Sequence, residues 1–329
     1  MQAAGGLDYM IKIATRVLHK NPKYITFIAP MVTYTFTILA GTGHVAYSVL
    51  PVIAEVATET KVRPERPLSI AVIASQQAIT ASPISAATVV LLSMLAGYDI
   101  TLIDIMKIAI PCTMAGVLLG ALYSMKIGKE LADDPEYRRR LAEGAFESKH
   151  RHTREVENPR GALLSVVLFL VATVGIVIFG SSEALRPVFH TNEGTVPMQM
   201  SHIIEILMLS AAALMLIGTR TNGIRAVQGS VFSAGMQAVI AIFGIAWMGD
   251  TFISGNMAAL KGGIEQYVTT MPWLFGLALF MMSVLLFSQA ATVRTMLPLG
   301  IALGLSPWML IALFPAVNGY FLIPNYPTV

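Results

Sequence analysis

Small polar residues interrupt three long apolar stretches of the chain, at positions where continuous helices would otherwise be expected. The interruptions are Gly41-Thr42-Gly43-His44, Ser82-Pro83-Ile84-Ser85 and Ser288-Gln289. Hydroxyl, amide and imidazole groups can all donate hydrogen bonds. A helix that begins at such a break also points the positive end of its dipole towards it. The three breaks therefore predict a binding site for a small anion.

Three residues at these breaks are of the types that cap helix N-termini, namely Thr42, Ser85 and Ser288, so half-helices are expected to begin after them. Arg294 lies shortly beyond the third break and is the only charged residue in that hairpin. A cation at this depth is costly and often functional, which makes Arg294 a candidate counter-charge for the anion. The alternative is a structural ion pair or a side chain that reaches the membrane surface.

Other polar residues in the apolar segments have two interpretations each. His44 could bind a carboxylate or carry a proton, or it could be a buried structural histidine. Gln76, Gln77 and Asn318 lie within apolar helices, where amides more often join neighbouring helices than bind ligands. We therefore leave the three amides out of the predicted site.

The elements that position these residues are membrane helices. Hydrophobic residues make up 55% of the 329 residues and charged residues only 12%, whereas soluble domains have about a quarter charged. The mean hydropathy is +0.68. Nine basic and eight acidic residues fall between Lys126 and Arg160 alone. This distribution excludes a soluble enzyme, and a single cysteine gives no disulfide or CxxC metal site. We expect no cofactor, no metal site and no nucleic-acid partner.

Basic residues in short loops mark the cytoplasmic side of a membrane protein. Placing every basic cluster on that side makes 126–160 a charged cytoplasmic connector and predicts a broken helix over 68–97. It also predicts conventional spans over 102–125, 161–180, 200–219 and 229–248. An amphipathic helix over Leu7–Lys20 is expected to lie at the membrane interface.

Two segments do not fit a simple crossing. The segment 24–57 has basic residues at both flanks, which predicts a re-entrant hairpin that enters and leaves on the cytoplasmic face. The segment 271–304 has no basic residue at either flank, which predicts a second hairpin from the opposite face. The alternative is two tight conventional spans in each segment, with only about 15 residues per leg.

These elements predict an all-α membrane protein built from an inverted repeat. The first repeat is residues 1–125, and the second is 161–329, which ends in the start of a broken helix over 306–329. The break in this last helix is predicted at Ile323-Pro-Asn-Tyr-Pro327. Residues 41–51 align with 288–298, since both begin with a small polar tip and reach Leu-Pro at the same offset. A hairpin and a broken helix, occurring twice in opposite orientation, are typical of secondary transporters, whose sites lie where such helices break.

Motifs at the breaks resemble those of the anaerobic C4-dicarboxylate transporters of the Dcu A/B family, and the A branch most. The motifs are Gly41-Thr-Gly-His-Val45, Arg63-Pro-Glu-Arg-Pro67, Ala81-Ser-Pro-Ile-Ser85, Gly244-Ile-Ala-Trp-Met248, Ser288-Gln-Ala-Ala291 and Ile323-Pro-Asn-Tyr-Pro327. The resemblance implies a carrier in the bacterial inner membrane that belongs to the ion transporter superfamily. It would exchange fumarate, malate or aspartate for succinate by an elevator-like movement.

The resemblance also implies that the hairpin tips and broken helices form the substrate site. The expected binding residues are Thr42, Gly43, His44, Ser82, Ser85, Ser288, Gln289, Arg294 and Asn325. Because the family's chains extend further at both ends, the sequence is expected to be a fragment. Small dicarboxylate anions and the lipid bilayer are the expected partners, and a homo-oligomer is compatible with this fold.

Two other functions are alternatives to dicarboxylate exchange. A sodium- or proton-coupled carrier of another organic anion is the closest alternative, and a truncated membrane sensor that does not transport is a second. An intramembrane enzyme is disfavoured, because the sequence has no carboxylate pair and no His/Asp/Glu cluster at metal-ligand spacing.

The counter-charge hypothesis can be tested by substitution. We expect Arg294→Ala to weaken succinate binding by roughly 10- to 100-fold, the effect of losing a hydrogen bond to a charged group. Gln199→Ala, in a loop predicted to lie outside the membrane, is the control and should bind normally. Isothermal titration of the purified protein measures both, and equal effects of the two substitutions would rule out this role for Arg294.

Overall fold

The computed structural model describes residues 1–143, 158–191, 194–229, 270–286 and 288–319, together with scattered positions between 231 and 268. Most of these residues are helical. The helices of the first part of the chain are α1 (Gly6–Lys20), α2 (Ile25–Ala40), α3 (Leu50–Glu59), α4 (Glu65–Thr80), α5 (Ala86–Met94), α6 (Leu102–Ser124) and α7 (Pro135–Ala142). Those of the second part are α8 (Pro159–Ser181), α9 (Met200–Thr219), α10 (Gly223–Val227), α11 (Trp273–Leu286), α12 (Gln289–Ala302) and α13 (Pro307–Leu313).

Four helical segments are long and apolar enough to cross a membrane. They are Pro22–Ala40, Leu102–Ser124, Pro159–Ser181 and Met200–Thr219. The last three agree with the predicted spans to within two residues at either end, since a span needs about 20 apolar residues. The predicted span 229–248 falls largely outside the described residues. The length of the first segment is compatible with both interpretations of 24–57.

Three of the predicted helix breaks fall within the described residues, and all three are present. The helix α2 ends before Gly41, which adopts the left-handed conformation at φ 70° and donates its N–H to Thr37 O. A short 3-10 helix, Gly43–Ser48, leads from there into α3. The helix α4 ends at Thr80 and α5 begins at Ala86. The third break separates Leu286 from Gln289.

The last helix is shorter than the sequence analysis expected. The broken helix predicted from 306 was to continue to a break at 323–327, but α13 ends at Leu313 and a 3-10 turn ends at Ala316. Pro315 accounts for this, because it lacks the N–H that would continue the α-helix and its ring clashes with the preceding turn. Residues 323–327, and with them Asn325, lie outside the described residues.

The helices α2 and α4 pack side by side and run in the same direction. Thr33 Oγ1 donates to Ala71 O at 2.8 Å, and Ser82 Oγ donates to Ile38 O at 2.7 Å. Later residues of the first segment therefore contact later residues of the second, as in two parallel helices. The chain must therefore return through α3 between the end of α2 and the start of α4. Apolar residues of α1, α2, α3 and α4 form one buried cluster. A second cluster joins α5, α6 and α9 to the three helices α11, α12 and α13.

A small antiparallel hairpin connects α8 to α9. Its strands are β1 (Val188–Thr191) and β2 (Gly194–Pro197), with Val188 opposite Pro197. It lies in the loop that the charge pattern places on the side opposite the connector.

Two arginines fasten the start of α4 to the loop after α6. The Arg66 side chain is 9% exposed and donates to Ile127 O, Gly128 O and Glu130 Oε1 at 2.8 to 3.1 Å. Arg63 pairs with Asp134 at 2.9 Å. The backbone N–H of Tyr137 and the Arg63 guanidinium hold the pKa of Asp134 below its ordinary value. This arginine clamp, Arg63 and Arg66, fixes the loop that leads into the connector.

Removing the buried member of the clamp should destabilise the protein. We expect Arg66→Gln to lower the free energy of unfolding by about 2 to 3 kcal/mol, because hydrogen bonds from a charged donor are lost. Arg140→Gln is the matched control, because its pair with Glu136 is exposed and contributes little. Thermal unfolding in detergent, followed by tryptophan fluorescence, measures both. Equal melting temperatures would show that the clamp does not stabilise the fold.

Candidate functional site

The candidate site begins with the three N-caps, all of which are confirmed. Thr42 Oγ1 accepts from the N–H of His44 at 3.4 Å, and Ser85 Oγ accepts from the N–H of Thr88 at 3.2 Å. Ser288 Oγ accepts from the N–H of Ala291 at 3.2 Å. Each cap starts a helical segment at a break, so the positive dipole ends of α5 and α12 and of the 3-10 helix at 43–48 begin at these polar residues.

The first hairpin tip packs directly against the broken helix. A Cβ atom on Gly41 would lie 2.8 Å from Ile84 Cγ1 and 3.1 Å from Ile84 O. A Cβ on Gly43 would lie 2.5 Å from Gln76 Nε2. Glycine is needed at Gly41 both for its left-handed backbone and for this close approach to the backbone of Ile84. The tip therefore lies against both the break and the last turns of α4.

The second hairpin tip reaches the same helix through Gln289. Its Nε2 donates to Gln76 O at 3.0 Å and also to Asn318 Oδ1. Asn318 Nδ2 in turn donates to Gln77 Oε1 at 3.3 Å and to Pro315 O at 3.1 Å. Gln76, Gln289 and Asn318 are all at least 94% buried. We call Gln76, Gln77, Gln289 and Asn318 the amide cluster. Both tips thus meet at the amide cluster, although Gln76 and Gln289 are 213 residues apart in the chain.

Apart from Arg294, the predicted site residues fall into three groups. Gly43, Ser82 and Gln289 lie at this meeting point, since Gly43 and Gln289 contact Gln76 and Ser82 bonds to α2. Thr42, His44, Ser85 and Ser288 flank it as caps or capped residues, with Ser85 fully buried and Thr42 and His44 half-buried. Asn325 lies outside the described residues.

Arg294 is not part of the amide cluster. It is exposed, whereas residues 289–293 and 295–297 of α12 are buried. At about 100° per residue, its position is rotated well away from that of Gln289. Its side chain therefore leaves the helix on another side, facing outwards from the buried contacts.

Three residues of the site were missed by the sequence analysis, namely Gln76, Gln77 and Asn318. Amides in apolar helices are typical of links between helices, and these amides do link helices, but at the point where the breaks meet. An amide in an apolar helix was the available signal, and it does not distinguish these two cases.

Two buried hydroxyls near the tips have no hydrogen-bond partner within the part of the chain that the structure describes. They are Thr37 Oγ1, one turn before Gly41, and Thr295 Oγ1, two turns into α12. A buried polar atom without a partner is costly, and a ligand, an ion or water usually supplies one. The two hydroxyls therefore add to the polar groups that a ligand could use.

A cavity of about 340 Å³ lies elsewhere, between the end of α5 and the starts of α6 and α9. Its lining combines Arg186 with the carboxylates of Asp99 and Glu183. Arg186 already pairs with Glu183 at 3.1 Å. This balance of charges does not favour a dianion, so the meeting point of the breaks remains the better candidate. No cluster of three His, Cys, Asp or Glu residues able to hold a metal occurs among the described residues.

Comparison with known proteins shows the family to which the chain belongs. A family model described as an anaerobic C4-dicarboxylate membrane transporter matches residues 1–329. The chain belongs to this family. The anaerobic C4-dicarboxylate transporters are membrane proteins and not enzymes, as the composition of the chain predicts.

Individual relatives support the assignment to the anaerobic C4-dicarboxylate transporters. The chain is 44% identical to the C4-dicarboxylate transporter DcuA of Escherichia coli K12 and 41% identical to that of Wolinella succinogenes. It is 36% identical to the anaerobic C4-dicarboxylate transporter DcuB of Escherichia coli O6:H1. Each comparison covers the whole chain and 75% of the relative. No solved structure matches the chain.

A double-mutant cycle tests the contact between Gln289 and Asn318. We expect Gln289→Ala and Asn318→Ala each to lower the free energy of unfolding. The loss in the double variant should be about 0.5 to 3 kcal/mol smaller than the sum of the two single losses. Thermal unfolding in detergent gives the three values. Gln289→Ala combined with Gln228→Ala is the control cycle and should be additive. Additive losses in the first cycle would show that the amide contact is not formed.

Proposed function

We propose that this protein transports C4-dicarboxylates across the membrane and that the substrate binds where the two hairpin tips meet the broken helix. The observation that carries the proposal is the hydrogen bond from Gln289 at one tip to the carbonyl of Gln76, against which Gly43 of the other tip also packs. Irregular backbone at membrane depth is tolerated only where it is buried or lines a polar cavity. The concentration of breaks at one place therefore supports a binding site there.

The substrate class follows from the chemistry of the site and from the names of the relatives. A dianion in an apolar environment needs several convergent donors and at least one cation. The hydroxyls of Thr42 and Ser288 and the N-termini of α5 and α12 supply donors. The hydroxyls of Ser82 and Ser85 and the amide of Gln289 donate within the protein, so they would have to exchange those hydrogen bonds for bonds to the substrate. His44 and Arg294 are the proposed sources of positive charge. Fumarate, malate, aspartate and succinate are the proposed substrates, because relatives are named C4-dicarboxylate transporters.

The exposure of Arg294 suits a role that changes during transport. An arginine that is outside the buried cluster in one arrangement can pair with the substrate in another, if α12 moves relative to its neighbours. An elevator-like exchange, in which the tips carry the substrate past a static scaffold, would provide that movement. Arg294 would then be a countercharge reached only on the transport path.

An inverted repeat is supported by matching contacts in the two halves. In the first half, Ser82 at the break of the broken helix bonds to Ile38 near the end of α2. In the second half, the N–H of Gly319, after α13, bonds to Ser283 near the end of α11 at 2.7 Å. In both halves, the first leg of the hairpin is thus bonded, close to its tip, to the end of the helix that follows the hairpin. The parallel packing of α2 and α4 likewise supports a segment 24–57 that enters and leaves on the same face.

We further propose that the protein lies in the bacterial inner membrane with residues 126–160 in the cytoplasm, as the positions of the basic residues favour. The repeats would then be residues 1–125 and 161–329. In this arrangement the arginine clamp lies at the cytoplasmic face, where basic residues are expected.

The main test is succinate counterflow. Proteoliposomes are preloaded with unlabelled succinate, and uptake of labelled fumarate is measured with and without the internal substrate. We expect uptake to depend on the internal dicarboxylate, and Gly41→Ala to reduce it at least tenfold because its Cβ would press on the backbone of Ile84. Gly116→Ala is the control, because a Cβ there meets no atom within 4 Å.

Uptake that ignores the internal substrate would contradict exchange. Normal uptake by Gly41→Ala would contradict the location of the site. A second arm replaces sodium by choline, because the unpartnered hydroxyls of Thr37 and Thr295 are suitable oxygen ligands for a coupled cation. Uptake that requires sodium but not internal dicarboxylate would favour the cation-coupled carrier instead.

A further inference from the structure

The first helix, α1, has one face that packs on the protein and one that does not. Leu7, Met10, Ala14 and Leu18 are at most 7% exposed and belong to the buried cluster of the first helices. Gly6 lies against Ser165 near the start of α8. At the other end, His19 lies 4.0 Å from Glu59 at the end of α3. The helix is therefore fixed to the body of the protein along its whole length.

The outer face of α1 combines two kinds of residue. Lys12, Arg16 and Lys20 are exposed and follow one another at intervals of four residues, so they form one stripe along the helix. Ile13 and Val17 are 42% and 43% exposed and form a second stripe beside it. The apolar stripe lies between the cations and the buried face. This order, from buried to apolar to basic, is that of a helix lying in a membrane interface.

The cations on this face are available to a ligand. Lys23, just beyond the helix, is also exposed and adds a fourth positive charge. Within the described ranges, none of these four side chains has a carboxylate oxygen within 4.0 Å. Asp8 lies one turn before Lys12, on the side of the helix away from Ile13 and Val17. The stripe as a whole is therefore positively charged, and no carboxylate in the described part of the chain pairs with it.

We propose that the outer face of α1 is a binding site for anionic phospholipids. The ammonium and guanidinium groups of Lys12, Arg16, Lys20 and Lys23 bind the lipid phosphates, and Ile13 and Val17 lie among the first carbons of the acyl chains. The cytoplasmic leaflet, on which the proposed topology places this helix, has a negative surface potential that attracts such clusters. Because α1 packs on α2, α3 and α8, bound lipid would stabilise the arrangement of all four helices. This inference uses the proposed topology but not the proposed substrate.

Lipid binding is measured by native mass spectrometry and by the shift in melting temperature as lipid is added to the detergent-solubilised protein. The probes are phosphatidylglycerol, phosphatidylcholine and the soluble headgroup analogue glycerol 3-phosphate. We expect phosphatidylglycerol alone to remain bound and to raise the melting temperature. Glycerol 3-phosphate should have no effect, since it lacks the chains that Ile13 and Val17 contact. An equal shift from glycerol 3-phosphate would overturn the lipid assignment in favour of a free phosphate site.

The variant Lys12→Gln/Arg16→Gln/Lys20→Gln should weaken phosphatidylglycerol binding by roughly a hundredfold, because each of the three cations near an anionic surface contributes about a fivefold gain. Lys126→Gln/Lys129→Gln/Arg160→Gln removes the same charge from other exposed positions and should bind as the unchanged protein does. Equal losses in the two triple variants would show a general charge effect and overturn the proposal.

Two further variants separate lipid from other anionic partners. Lys12→Arg/Lys20→Arg keeps the charge and should bind phosphatidylglycerol as the unchanged protein does. Normal binding by this variant would also show that the helix tolerates substitution. Ile13→Gln/Val17→Gln keeps every cation and should still reduce binding at least tenfold, because the apolar contact is lost. Full binding by this last variant would favour an acidic protein segment as the occupant and contradict the lipid site.

Discussion

Backbone groups inside a membrane must find hydrogen-bond partners within the protein, and this requirement organises the rest of the structure. Each break in a helix releases N–H and C=O groups that water cannot reach. Thr42, Ser85 and Ser288 accept hydrogen bonds from some of these N–H groups as caps. Ser82, Gln289 and Ser283 bond to backbone groups of another segment. The breaks therefore lie against one another, and polar groups become concentrated at one place in an otherwise apolar molecule.

The break at 81–85 also separates the two buried clusters. Residues of α4 pack with the first helices, whereas α5 packs against α12 in the second cluster. The amide cluster crosses this division, because Gln289 of α12 bonds to Gln76 of α4. A substrate that competes for these hydrogen bonds would change how the two clusters hold each other. Binding and movement would then depend on the same few groups.

The sequence predicts the local features of this protein well. The caps, the breaks and the spans at 102–125, 161–180 and 200–219 depend on residues close together in the chain, so their patterns are visible without a structure. The family, too, could be predicted from the motifs at the breaks. A signal for the early end of α13 is also present in the sequence, as Pro315, but the two later prolines at 324 and 327 form a denser break pattern.

Contacts between distant segments could not be predicted in the same way. Nothing in the sequence around Gln76 indicates that its carbonyl, and not only its side chain, would meet Gln289. The position of Arg294 depends on how α12 is rotated against its neighbours, which a charge in an apolar segment does not specify. The re-entrant hairpins and the inverted repeat remain predictions, supported by the parallel α2 and α4 and by the matching contacts of Ser82 and Gly319.

The arginine clamp has a consequence for how the loop after α6 can vary. Arg66 binds two main-chain oxygens, those of Ile127 and Gly128, and Arg63 binds the main-chain oxygen of Lys129. Main-chain oxygens are present whatever the amino acid, so the side chains of Ile127 and Lys129 can be exchanged without losing these bonds. The path and length of the loop cannot change, because the oxygens would move out of reach. Labels and tags are therefore better attached by substitution in this loop than by insertion.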